Sequence, residues 1–117
     1  MLNLRGVAVL ICLALFATGA RVSAHDHAAL DVAGEFYATW KMPDAPWISC
    51  CNMDDCAPAL KATQDPTGTW HAQRESDGKW FVIPAEKVEQ ERDSPDGRSH
   101  LCVLNDRVLC FVAGSGT

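Results

Sequence analysis

The chain has 117 residues, a formal charge of −5 and six cysteines. Its acidic balance argues against nucleic acid and anionic membrane surfaces, which select for basic patches. A chain of this size builds one small core, marginal without covalent staples.

The first 24 residues read as an export signal. Arg5 marks a short n-region, Val7 to Phe16 is apolar, and Val22-Ser23-Ala24 is a small-residue cleavage site. The apolar run is too short for a stable membrane anchor, which needs about 20 residues. Cys12 lies inside this run and leaves with it. The expected organisation is a signal at 1–24 and a single domain at 25–117, flexible at 25–28 and frayed at 113–117. Losing Arg5 and Arg21 leaves eight Lys and Arg against fifteen Asp and Glu, a charge of −7. The destination is the periplasm or the exterior, with no membrane attachment after cleavage.

The mature chain begins His25-Asp26-His27. A free amine, two backbone amides and a third-position imidazole make a four-nitrogen, square-planar set that copper(II) and nickel(II) favour. His25 and His27 are therefore candidate metal ligands. The spacing of Leu30, Ala33, Tyr37 and Trp40, with Phe36 beside them, predicts a helix over 28–42, capped by Asp26 and stopped by Pro43. Its aromatics are expected to pack it on a sheet. Pro43 to Trp47 reads as a stiff, extended connector.

That connector leads into Ser49-Cys50-Cys51-Asn52-Met53-Asp54-Asp55-Cys56. Pro58 keeps the following backbone out of a helix, and Ala59 to Thr63 suits a short strand. Asp65-Pro66-Thr67-Gly68 and Ser94-Pro95-Asp96-Gly97 are turns with Pro second and Gly fourth. Asp77-Gly78 between Trp70–Arg74 and Lys79–Ile83 signals a hairpin. Residues 85–91 suit one or two helical turns with their charges in solvent. In the last hairpin, a three-residue loop at Asn105-Asp106-Arg107 sets Cys102 opposite Cys110, where they can be bridged. A two-residue loop breaks that register and frees both cysteines for the distant cluster. The expected fold is α+β: an N-terminal helix packed on an antiparallel sheet of four or five strands, stapled by disulfides.

Trp40-x2-Pro43-Asp44, Ser49-Cys50-Cys51-x3-Asp55-Cys56-x-Pro58, Ile83-Pro84, Ser94-Pro95-Asp96-Gly97-x2-His100-x-Cys102 and Leu109-Cys110-Phe111 resemble a group of small exported proteobacterial proteins that carry several cysteines. The shared pattern covers most of residues 40–112. The resemblance implies one exported, cysteine-stapled domain and carries over no activity and no catalytic residue.

Five cysteines follow the signal: Cys50, Cys51, Cys56, Cys102 and Cys110. In an oxidising compartment they read as disulfides with one thiol left over, which permits a covalent dimer. One bridge is expected to join the 50–56 segment to the C-terminal hairpin. Cys50, Cys51 and Cys56 with His100 or Cys102 could otherwise hold zinc or copper(I). A nucleophilic thiol would need a base, and His71 and His100 are the candidates. Trp47, Trp70 and Trp80 are candidates for a binding face. The leading expectation is a binding or structural protein without catalysis, engaging a protein or small ligand. Its alternatives are a copper or nickel protein using His25 and His27, and a thiol-active redox protein.

Overall fold

A computed structural model describes residues 24–51 and 55–116, with side chains from Val32 onward. The expected signal and cleavage site fall almost wholly outside the described residues. In chain order come a helix α1 (Ala24–Thr39), a short pair β1 (Lys41–Met42) and β2 (Ala45–Ser49), then β3 (Cys56–Gln64), β4 (Trp70–Arg74) and β5 (Trp80–Val82). A 3-10 turn (Ala85–Lys87) precedes β6 (His100–Leu104) and β7 (Arg107–Val112). Strands β1 and β2 form their own hairpin, while the other five make one antiparallel sheet in the order β5-β4-β3-β6-β7.

The architecture is mostly β, with the five-stranded sheet curled into a half-barrel. This corrects the expected α+β arrangement of a helix lying on a sheet. The reason lies in β3. It pairs with β6 through Cys56–Pro58 and with β4 from Ala59 onward, with a register shift between Ala59 and Lys61. A bulge of this kind bends a strand and increases its twist. The sheet therefore wraps its own concave face, and a covering helix is not needed there. Pro58 fits because Val103 N–H donates to Asp55 C=O and Ala59 N–H to Ser99 C=O, both at 2.9 Å. The intervening Pro58–His100 pair is not hydrogen-bonded, so the missing proline N–H costs nothing in this ladder.

Residues abreast in a sheet share a face. Ala57, Leu101 and Phe111 are abreast on one face, and Cys56, Cys102 and Cys110 on the other. The first face belongs to a core of Ala72, Phe81, Ile83, Leu101, Val103, Val108 and Phe111, with Trp70 packed on Phe111 at 5.3 Å between ring centroids. The second belongs to Phe36, Trp40, Cys50, Cys102, Cys110 and Val112. Strand β6 is buried on both faces from His100 to Val103.

The helix ends at Thr39, three residues before the expected stop, because Lys41 and Met42 are taken into β1. The expected connector is largely strand β2, and Trp40 C=O accepts from Cys50 N–H at 2.9 Å. Of the described helical side chains, those of the last turn reach the core, with Phe36 packed on Trp40 at 4.8 Å.

Of the charges expected in solvent over residues 85–91, Glu86 and Glu91 are exposed, but Lys87 and Glu89 are drawn in. Lys87 is buried and donates to both Asp44 oxygens at 2.8–2.9 Å, Trp40 Nε1 donates to Glu89 at 3.3 Å, and Arg92 stacks on Phe36 at 4.2 Å. Glu89 N–H donates to Phe111 C=O at 2.7 Å and Val88 bridges the same residue, which covers the β7 edge. The segment straps the β1–β2 hairpin to the sheet.

The last hairpin has a two-residue loop, not three. Leu104 faces Arg107, with Asn105 at φ 51° and Asp106 at φ 60°. Two left-handed residues match the strand twist, and Asn and Asp tolerate that conformation best after Gly. A register shift between Cys102 and Val103 then restores Cys102 opposite Cys110. Asp106 also accepts from Arg74 at 3.1 Å and Lys79 at 2.8 Å, joining the two hairpin tips across the mouth of the half-barrel. At the chain end, Gly114 N–H donates to Ser99 Oγ at 2.9 Å and Ser115 N–H to Gly97 C=O at 3.1 Å. A Cβ at Gly114 would lie 2.4 Å from Gly97 O, so only glycine permits this approach.

Candidate functional site

The sheet presents a row of three sulfurs, Cys56, Cys102 and Cys110, from three neighbouring strands. Adjacent Cys50 and Cys51 arrive over this row from the end of β2, held by the Trp40–Cys50 backbone bond and by Ser49 Oγ donating to Cys51 C=O at 3.0 Å. Consecutive side chains diverge, so the two take different partners. Cys50 is bridged to Cys110, and both are fully buried. Cys51 meets the other end of the row. Cys102 and Cys110, although opposite, are not bridged to each other.

Cys56 Sγ lies within bonding reach of both Cys51 and Cys102. A sulfur forms one disulfide at a time, so two pairings compete for this atom. Either Cys56–Cys102 is closed and Cys51 is a thiol, or Cys51–Cys56 is closed and Cys102 is a thiol. The outer pair of sulfurs is 3.8 Å apart, which keeps the unbonded one beside the bridge. The two thiols differ in access: Cys102 has no exposed surface, while Cys51 is partly exposed. The leftover thiol expected from the cysteine count is thus assigned to one of two residues.

This trio is also the one group of three His, Cys, Asp or Glu ligand atoms converging within 4.8 Å among the described residues. Cys50, included in the expected thiolate set, is committed to Cys110. His100, the other expected ligand, is committed elsewhere.

His100 is fully buried between Tyr37 and Asp96. Its Nε2 is 2.7 Å from Asp96 Oδ1 and its Nδ1 is 2.5 Å from Tyr37 Oη. An ionised carboxylate only accepts, which places the imidazole proton on Nε2 and leaves Nδ1 to accept from the tyrosine. Burial alone would raise the Asp96 carboxyl, but hydrogen bonds from His100 and Arg98 outweigh it and hold the group well below the usual carboxylate range. Burial, with Asp96 second, pushes the Tyr37 hydroxyl up to about 12. Carboxylate, imidazole and hydroxyl stand in the order of a nucleophile relay. The tyrosine is nevertheless harder to ionise than a free one, and the imidazole has no access to solvent. The network therefore ties the helix end, the 94–98 turn and β6 together. Its signal in the sequence was the four-residue step from Asp96 to His100.

His71 instead bonds Asp65 at 2.9 Å, on another part of the sheet. Trp47 is 81% exposed, and Trp80 about half, while Trp70 is drawn into the concave core. Trp80 lies opposite Gln73, so it does not pair with Trp70. The side chains of His25 and His27, the expected copper or nickel ligands, lie outside the described residues, as does Asp54.

No protein-family model, curated protein or solved structure matches this chain. Its disulfides fit an oxidising compartment. Among the described residues no helix is long and apolar enough to cross a membrane.

Proposed function

We propose that this is a thiol-active protein of the periplasm or the cell exterior, and that Cys51, Cys56 and Cys102 form its thiol–disulfide exchange centre. The observation that carries the reading is the shared reach of Cys56 to two sulfurs. In the internal step the Cys51 thiolate attacks Cys56, the Cys56–Cys102 bond breaks, and Cys102 leaves as a thiolate that takes up the proton Cys51 gave up. One bond forms and one breaks, so no external oxidant is consumed. In the outward step the Cys51 thiolate attacks a disulfide of another molecule, forming a mixed disulfide and releasing that molecule's second sulfur as a thiolate. Both steps need only the thiolate and an accessible sulfur in line.

Differential alkylation with peptide mapping tests this. One free thiol per chain is expected, divided between Cys51 and Cys102, with Cys50–Cys110 always closed. Oxidised glutathione should add to Cys51, and Cys51→Ser should abolish the adduct. A thiol confined to Cys102 and inert in the native protein would overturn the proposal.

A further inference from the structure

We propose that Cys51, Cys56 and Cys102, once the bridge among them is opened, hold copper(I) in a three-sulfur site. These are the sulfurs of the exchange centre, but metal binding does not require that they exchange. They arrive from separate segments: Cys56 on β3, Cys102 opposite it on β6, and Cys51 from just past the end of β2. All three sulfurs lie within 4.8 Å of one another. A metal–sulfur bond of about 2.3 Å spaces three coplanar sulfurs about 4 Å apart. Cys51 Sγ and Cys102 Sγ already stand 3.8 Å apart. Opening the bridge frees Cys56 Sγ from its partner, and a change in one side-chain torsion completes the triangle.

The donor set selects the ion. Thiolates suit copper(I) and zinc(II) alike. Zinc requires a fourth ligand, and the neighbouring residues that could supply one are taken. Cys50 is bonded to Cys110, and the two His100 nitrogens are engaged by Asp96 and Tyr37. Phe36, Trp40 and Met42 give the cluster an apolar cover. Such a cover limits solvent, which favours the ion that needs three sulfurs and no water. Opening the bridge takes two electrons and two protons from a dithiol, which leaves as a disulfide. The bridge among the three is the accessible one: Cys51 and Cys56 are partly exposed, while Cys50 and Cys110 have no exposed surface. Access governs exchange rates, so Cys50–Cys110 stays closed and keeps the neighbouring Cys51 over the row. Copper(I) then replaces the thiol protons.

Anaerobic reduction with a phosphine, which does not compete for copper as a thiol would, followed by copper(I) titration against a chromophoric copper(I) chelator tests the site. Differential alkylation should show three free thiols with Cys50–Cys110 intact, and one copper(I) should be retained per chain. The oxidised protein should retain none, and excess zinc(II) should not displace the ion. Cys51→Ser keeps Cys56–Cys102 as a staple until reduction, and should weaken retention by more than about 10–100-fold, the cost of losing a mere outer-shell partner. Retention that survives Cys51→Ser, that requires Cys50–Cys110 to open, or that zinc(II) abolishes would overturn the site, as would its absence from the reduced wild type. A missing glutathione adduct at Cys51 in the oxidised protein would sink the exchange centre alone, so each can fail without the other.

Discussion

The two faces of the β3–β6–β7 sheet are held by different physics. The concave face is an ordinary apolar core, in which Leu101, Val103, Val108 and Phe111 meet Phe81 and Ile83 from the other hairpin. The convex face carries three cysteines abreast, the end of one helix and a buried histidine between a tyrosine and an aspartate. Its buried apolar cover beyond the cysteines is Phe36, Trp40 and Val112, with Tyr37, Met42 and Leu109 partly buried against them. Burial stabilises the first face. Covalent bonds and a saturated polar network stabilise the second, where too little apolar surface is available for burial alone.

The largest expected effect separates the faces by redox state. Cys50–Cys110 closes a loop with a sequence separation of 60. On the chain-entropy model such a bridge contributes about 4 kcal/mol. Cys110→Ser should lower stability by that order in denaturant melts without reductant, and the gap to wild type should shrink when both are reduced. If the gap persists under reductant, the convex face rests on packing and the contrast between the faces fails.

The polar network should give the next effect. Tyr37→Phe leaves His100 Nδ1 buried without a donor, a loss of about 1–3 kcal/mol. The pH dependence has a definite sign. Tyr37 holds its proton in the folded state up to about 12, above its unfolded value of 10.0, so the stability it confers is present below pH 10 and drains as pH rises through 12. Tyr37→Phe should remove that alkaline component. Asp96 works in the other direction. Its folded carboxyl is held below 3.8, so its contribution is present above about pH 4 and is lost as pH falls further. Melts across both limits, wild type against Tyr37→Phe, check this.

A concave probe sharpens the contrast at smaller amplitude. Ile83 is 2% exposed in the apolar core. Ile83→Val should cost about 1 kcal/mol through the lost methylene, equally with and without reductant. A redox-dependent cost would mean that the two faces are coupled through β6.

How much was legible in the sequence follows the same division. The concave face is built from local alternation, and its hairpins at residues 70–83 and 101–111 could be located in the sequence, although the second closes with two residues and not three. Gly78 at φ 72° stands where the first of these turns requires it, and Gly97 at φ 79° closes the separate turn ahead of β6. The curl of the sheet was not legible, because it depends on β3 changing partners midway through nine residues. Alternation says which face a residue takes, not which strand lies beside it. The helix misled because the aromatic spacing of residues 36–40 is real but serves only its end and the residue just beyond it. The cysteine pattern revealed the odd thiol and the bridge to the last hairpin. It left the partners open, since pairing depends on a one-residue register shift at Cys102 that no local motif announces. Likewise Lys87 reads as a surface charge until Asp44 is folded against it.

The smallest expected effect on stability is at Cys51, and it bears most directly on the chemistry of the convex face. Replacing Cys51 by Ser leaves Cys56 one partner, Cys102, and that bridge spans a separation of 46 against 5 for Cys51–Cys56. The longer loop confers the greater chain-entropy benefit, by about 2 kcal/mol. Cys51→Ser therefore keeps the more stabilising staple, and its stability should stay within about 0.5 kcal/mol of wild type, as for a near-isosteric change at a partly exposed position. Cys102→Ser should be the opposite: only the short bridge remains, and stability falls toward that of the protein lacking one long staple. If Cys102→Ser alone is silent, Cys102 is not the usual partner of Cys56 and the resting thiol is buried. If Cys51→Ser alone is silent, the resting protein holds Cys56–Cys102 closed and Cys51 free. The convex face then keeps its staple and its one reactive sulfur on different residues, which lets exchange proceed at Cys51 without unfolding the domain.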